Sequence, residues 1–220
     1  KLLWGILLYM MKKIKFLIKY SSELEIQRAL TIKRKLKWYF DNGYNLSNSV
    51  LPKNISVEEL DKKSEKEIIE CVNEEYKEEI FKPHEQAVNS LLPEYLNKLA
   101  DYFFEINLEV LLNIEIRLTK YGTTWSYNVP NVAIVNISKS FNIVLIRTIL
   151  HETIHLHIQN LIDKYKIGQW EKEIIVDCLF EKFSIDILKK QNYPIDASKI
   201  KEIFEENYPN IELIIRDISK

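Results

Sequence analysis

His151-Glu152-Thr153-Ile154-His155 lies inside a longer stretch, Phe141 to Ile162, that holds neither Gly nor Pro. Ile143, Ile146, Leu150, Ile154 and Leu161 recur there at helical spacings, so the stretch reads as a largely buried helix. On a helix of 3.6 residues per turn, positions four apart share a face. Both imidazoles can then reach one metal ion, with a carboxylate beside the first. Zinc takes nitrogen, sulfur and carboxylate ligands in a tetrahedron, and a catalytic site supplies three of them and leaves the fourth position to water. A core helix bearing His, Glu and His on one face has polar groups that need partners, and a metal supplies one. The chain has four histidines, His84, His151, His155 and His157. With so few, the pattern should arise by accident in on the order of one such chain in a few hundred.

The third ligand can be sought by spacing. Seventeen residues separate His155 from Glu173, which opens Glu173-Ile174-Ile175-Val176-Asp177 inside a second helical pattern, Glu171 to Lys189. His-Glu-x-x-His followed after about eighteen residues by Glu-x-x-x-Asp resembles the gluzincin metallopeptidases, the thermolysin-like group. The resemblance spans roughly Asn107 to Lys190 and is closest to the compact, minigluzincin-like forms. It implies one Zn2+ per chain held by His151, His155 and Glu173, with Glu152 as general base. It also implies that Asp177 hydrogen-bonds His151 behind the metal. The implied activity is hydrolysis of peptide bonds in a peptide or protein substrate. Family members stabilise the tetrahedral oxyanion with a Tyr or His from beyond the third ligand. No residue here matches that position by motif, so Tyr193 and Tyr208, with Tyr127 upstream, are the candidates. Fold does not fix activity, and a non-catalytic metal-binding regulatory or interaction protein on the same scaffold is the alternative.

Competing zinc signatures fail on the same residues. The metzincin pattern needs Gly three residues after the second histidine and His three further on, where Ile158 and Leu161 stand. An upstream cysteine ligand is excluded because Cys71 and Cys178 have the wrong spacing. His157 lies about 200° round the helix from His155 and faces elsewhere. His84 reads as a surface histidine at a helix start. Glu171 points away from Glu173's direction, and Glu181, on the same face as Glu173 and Asp177, reads as a solvated or neighbouring residue.

At 220 residues and 46 % hydrophobic content the chain can bury a sizeable core. With 31 basic and 32 acidic residues its formal net charge is −1, so no overall electrostatic case exists for nucleic acid. The basic run Lys33-Arg34-Lys35-Leu36-Lys37, next to Trp38 and Tyr39, reads as a solvated helix face. Two cysteines make no disulfide framework, which fits a reducing compartment. The apolar run Leu2 to Met11 is too short to span a bilayer, and no small-x-small cleavage site follows. A start at Met10 or Met11 would leave a cytoplasmic protein without a transmembrane helix.

The expected fold is α+β. Residues 1–20 form an apolar and basic N-terminal segment, 21–106 a helical region, and 107–220 a small zincin-like domain in which a short sheet packs on the active-site helix and the second ligand-bearing helix. In the helical region, Ser21 to Phe40 reads as a helix stopped by Asp41-Asn42-Gly43. Ser56-Val57-Glu58-Glu59 has capping-box form and should open a helix to Lys82. A further helical stretch should run from Pro83 to Ile106, with a break near Pro93. Strands are expected at Leu111 to Leu118 and Val132 to Ile137, separated by a turn at Tyr121 to Tyr127. In the zincin fold the last strand before the active-site helix is a sheet edge that aligns the substrate by main-chain hydrogen bonds. That role would fall to Val132, Ala133, Ile134, Val135 and Asn136, with an ordinary core strand as the equal alternative. Gly168 is expected to cap the motif helix, and a last helix near Ser198 to Asn207 precedes an apolar tail, Ile211 to Ile215.

Overall fold

An alternating strand, Asn113 to Thr119, and a continuous apolar one, Val132 to Asn136, form the middle of the sheet onto which the motif helix packs. The computed structural model describes residues 13–44, 46–123, 125–138, 140–183 and 192–220. The apolar run and the start residues Met10 and Met11 lie outside them, as does the end of the second ligand helix toward Lys189. The chain is α+β, as the sequence predicts. Strands β1 (Lys15–Lys19), β2 (Asn113–Thr119), β3 (Trp125–Asn128) and β4 (Val132–Asn136) form one sheet in the order β1-β2-β4-β3. The first two pairings are parallel and the last is antiparallel.

Two expectations about the sheet need correction. Val132 to Asn136 is not an edge, because β4 pairs with β2 on one side and β3 on the other. The stretch read as a turn supplies the edge instead. Tyr121 to Thr123 make the bend and Trp125 returns the chain as β3. Strand β1 carries no expectation from sequence, since Lys15-Phe16-Leu17-Ile18-Lys19 looks like the tail of the apolar segment. It becomes a strand by pairing with β2 almost a hundred residues later, from Lys15 opposite Asn113 to Lys19 opposite Arg117.

The helices of the first half are shorter than their patterns. Helix α1 (Ser22–Arg34) is capped by Ser21, whose hydroxyl accepts from the Leu24 amide at 3.2 Å. A break at Lys35 separates it from α2 (Leu36–Asp41), which Gly43 ends with φ +74°. Ser56 opens only the single turn α3 (Val57–Leu60), with no bond from its side chain to the backbone. The capping box is instead Ser64 with Glu67, opening α4 (Glu65–Glu75), where hydroxyl and carboxylate each satisfy the other residue's amide. Pro83 falls in the first turn of α5 (Lys82–Glu105), where a missing amide proton costs nothing. The helix continues through Pro93 without a break.

The motif helix is α6 (Ile143–Tyr165), and α7 (Gln169–Phe183) follows after a three-residue link. Lys166, in left-handed conformation at φ +55°, caps α6 in place of Gly168. Helices α8 (Ser198–Asn207) and α9 (Ile211–Ile218) close the chain. The main core joins β1, β2, β4 and α5 to α6 through α9, with Phe103, Ile116, Ile149, Ile154, Ile175 and Phe204 fully buried. Because α5 belongs to this core, packing runs across residue 106. A second, smaller core gathers α1, α2 and α4 around Ile32, Leu60 and Ile68, and Tyr121 joins it from the β2–β3 bend. Among the described residues, no helix is long and apolar enough to cross a membrane.

Candidate metal centre

Helix α6 is buried nearly all round, and His151, Glu152 and His155 are each less than a tenth exposed. The three-residue link lays α7 back along α6, which brings Glu173, in its second turn, opposite the two imidazoles. His155 Nε2 lies 3.1 Å from His151 Nε2 and 3.2 Å from Glu173 Oε2, and His151 Nε2 lies 3.4 Å from the same oxygen. The three ligand atoms thus form a nearly equilateral triangle. A tetrahedral ion bound at about 2.0–2.1 Å holds its ligand atoms roughly 3.3 Å apart, so the triangle has the size of one face of such a tetrahedron. This buried His-His-Glu group could hold a metal ion.

Each ligand is oriented by a neighbour. The other oxygen of Glu173 accepts from Gln169 Nε2 at 2.9 Å, leaving Oε2 toward the imidazoles. His151 Nδ1 faces Asp177 Oδ1 at 3.5 Å, and Tyr193 donates its hydroxyl proton to Asp177 Oδ2. His155 differs. Tyr127 from β3 stacks on its ring at 4.9 Å and 13°, while its Nδ1 is buried without a hydrogen-bond partner. The Tyr127 hydroxyl donates to Gln159 Oε1 and accepts from Lys172 Nζ at 3.0 Å.

Burial and charge set the protonation of these groups. Burial works against a charged His151, but the hydrogen bond to Glu173 and the nearby carboxylates outweigh it and raise its pKa. Burial lowers His155 to about 4, with Glu173 opposing. Burial also opposes ionisation of Glu173, but the two imidazoles overcome it and hold the carboxyl well below its ordinary range. Glu152, 1 % exposed, is pushed up to about 8 by burial, and its Oε1 has no partner. A carboxylate so placed, next to three converging ligand atoms, has unused hydrogen-bonding capacity.

The triangle opens onto a cavity of about 1050 Å³. Of the three tyrosines named as oxyanion candidates, only Tyr127 lines it. Tyr193 is engaged with Asp177, and Tyr208 packs on the main core, stacked on Phe204 at 5.7 Å. The β3 edge contributes Ser126, Tyr127 and Asn128 to the wall, and of the expected aligning segment only Ile134 reaches it. His157 is structural: its Nδ1–H donates to the Thr153 carbonyl at 2.6 Å, and its Nε2 accepts from the Leu111 amide at 3.1 Å. His84 packs edge-on against Phe141, away from the cavity. Glu181 is exposed, and Glu171 lies beside Gly168.

The segment from Leu24 to Val50, silent in sequence, supplies a further wall. Arg28 and Thr31 of α1, Trp38 and Tyr39 of α2, and Tyr44 all line the cavity. Tyr44 stacks between Trp38 at 5.5 Å and Trp170 at 5.8 Å, and Gln169 donates to its hydroxyl at 3.2 Å. Within the basic run, Lys33 and Arg34 are spent on the Leu60 and Asp61 carbonyls and on Glu65, while Lys35 and Trp38 face the cavity. No sequence signal marks Arg28, Tyr44 or Lys172, because their positions depend on contacts between distant elements. Comparison with protein-family models, curated proteins and solved structures finds no match for this chain.

Proposed function

We propose that the protein is a zinc-dependent peptidase of gluzincin type, with His151, His155 and Glu173 as metal ligands and Glu152 as general base. The observation that carries this reading is the triangle of 3.1, 3.2 and 3.4 Å beside an unpartnered Glu152 carboxylate. The donor set, two imidazole nitrogens and one carboxylate, fits zinc, which His151, His155 and Glu173 would hold beside the cavity. Zinc held there supplies Lewis acidity, polarising a scissile carbonyl and acidifying water.

The remaining work falls to side chains. Glu152 takes a proton from the attacking water and delivers it to the departing amine nitrogen. Burial favours its neutral form, and a cation beside it favours the carboxylate that a base requires. Asp177 accepts from His151 Nδ1–H, which leaves Nε2 unprotonated toward the triangle, and Tyr193 fixes Asp177 in turn. Gln169 holds Glu173 with one oxygen forward. Tyr127 covers the face of His155 and keeps water from that side of the ring.

The β3 edge supports the choice of peptide as substrate. It is an antiparallel edge strand on the cavity wall, and an extended chain can add to such an edge through main-chain hydrogen bonds. The test is metal analysis of the purified chain. About one zinc per chain is expected, lost in His155→Ala and retained in Glu152→Gln. Zinc retained by His155→Ala would refute the ligand assignment.

A further inference from the structure

Arg28 is a cation buried in the cavity wall, with the Glu25 and Glu152 carboxyls acting on it only from beyond ion-pair distance. It is 7 % exposed, and its Nε reaches only the Tyr121 carbonyl, at 3.5 Å. Nη2 has no hydrogen-bond partner, and no ion pair to Arg28 occurs among the described residues. A guanidinium removed from water is costly unless an anion in contact with it completes its hydrogen bonds. The fold nevertheless makes room for it. Gly122, at φ +91°, lies so close that a Cβ there would fall 2.4 Å from Arg28 Nε and 2.6 Å from Nη2. The bend is held in place by Asn136 Nδ2, which donates to the Gly122 carbonyl at 2.8 Å, and by the Gly122 amide, which donates to the Val50 carbonyl at 2.8 Å.

Unpartnered polar atoms gather at this cavity. Seven buried side-chain atoms lack a partner among the described residues, and four of them, Arg28 Nη2, Ser126 Oγ, Glu152 Oε1 and His155 Nδ1, belong to residues lining it. Arg28 and Ser126 can serve an anion. Glu152 and His155 belong to the proposed reaction centre.

We propose that Arg28, with Ser126, binds a carboxylate of the substrate, so that the peptides selected are those presenting a carboxylate near the scissile bond. The inference deepens the peptidase reading and rests on it for the word substrate. The planar guanidinium can meet a carboxylate with two parallel N–H bonds, which an amide cannot reproduce. Two groups can supply that carboxylate, the chain terminus or an Asp or Glu side chain.

The test is binding rather than turnover, on the full chain stripped of metal by chelator, so that a carboxylate cannot be drawn by the ion. Three probes are compared: a short apolar peptide with a free C-terminus, its C-terminal amide, and the amide carrying Glu in place of its last residue. The wild type should bind at least one carboxylate probe about 10-fold or more tightly than the plain amide. Which probe gains identifies the source. Arg28→Gln should bring the ratio near one, and Arg28→Lys, which keeps the charge but not the fork, should fall between. Far-UV circular dichroism and thermal melting establish that both variants are folded. Should Arg28→Gln be unfolded, the Arg28→Lys ratio alone decides. Equal affinity of the wild type for all three probes would overturn the proposal, as would an undiminished preference in a folded Arg28 variant. Zinc content and chelator-sensitive cleavage, measured separately, report on the peptidase reading and can fail without this result.

Discussion

At the scale of residues, the candidate site is a set of paired constraints around three atoms that could hold a metal ion. Each ligand has a neighbour that fixes it, but by different means: Asp177 for His151, Gln169 for Glu173 and the Tyr127 ring for His155. In the proposed zinc site the Asp177 contact would select the tautomer, by holding the His151 proton on Nδ1. Asp177→Asn should therefore lower zinc affinity by about 10 to 100-fold while leaving the fold intact, as read by competition with a chromophoric chelator. An unchanged affinity would mean that the 3.5 Å contact carries no orienting role. His151, Glu152, His155, Glu173 and Asp177 were all legible in the sequence, because helical spacing and a fixed interval encode them locally. Arg28, Tyr44 and Lys172 were not. They reach the cavity only through the meeting of α1, the Tyr44 loop and α7, and a single sequence carries no local mark of such contacts.

At the scale of elements, local capping chemistry decides where helices begin, and two similar motifs have different outcomes. Ser56-x-x-Glu59 and Ser64-x-x-Glu67 carry the same letters, but only the second closes reciprocal bonds to the backbone. At Ser56 the hydroxyl donates to Glu59 Oε2 at 3.1 Å, while the Glu59 amide donates to the Ser56 carbonyl at 3.2 Å rather than to the hydroxyl. Ser64→Ala should cost about 1 kcal/mol of stability and Ser56→Ala well under half of that, measured by urea unfolding. Equal losses would contradict the assignment of the cap. The same competition explains the sheet. An alternating strand was legible in β2 and a continuous apolar run in β4, whereas β1 is short and lysine-flanked and is a strand only by virtue of its partner. The edge position passed from β4 to β3 because Trp125 to Asn128 returns antiparallel along the free side of β4, which no pattern of letters reveals.

At the scale of the whole molecule, the two cores meet across the cavity, and buried charge lies along the join. Glu25 of α1 is 2 % exposed and accepts from the Lys120 amide at 3.0 and 3.2 Å, linking the small core to the sheet. Burial pushes its carboxyl up to about 7 from an ordinary 4.5, with Thr119, the Lys120 amide and the Lys120 charge opposing. A carboxyl whose folded pKa is raised binds more protons folded than unfolded between those two values. Stability therefore falls as pH rises from 4.5 to about 7 and is level above, by at most about 3 kcal/mol from this group. Glu25→Gln should flatten that slope in unfolding experiments across the range, and a slope unchanged by the substitution would remove Glu25 as its source.

The join also puts the catalytic proposal in one frame, since the segment from Leu24 to Val50 lines the same cavity as His151, Glu152 and His155. The most direct test of that proposal is peptide cleavage by the full chain, stripped by chelator and titrated with zinc against a mixed peptide library. Cleavage should be absent without metal, rise to its plateau at about one zinc per chain, and stay absent in zinc-loaded Glu152→Gln. Cleavage by the stripped protein, or undiminished cleavage by Glu152→Gln, would contradict it.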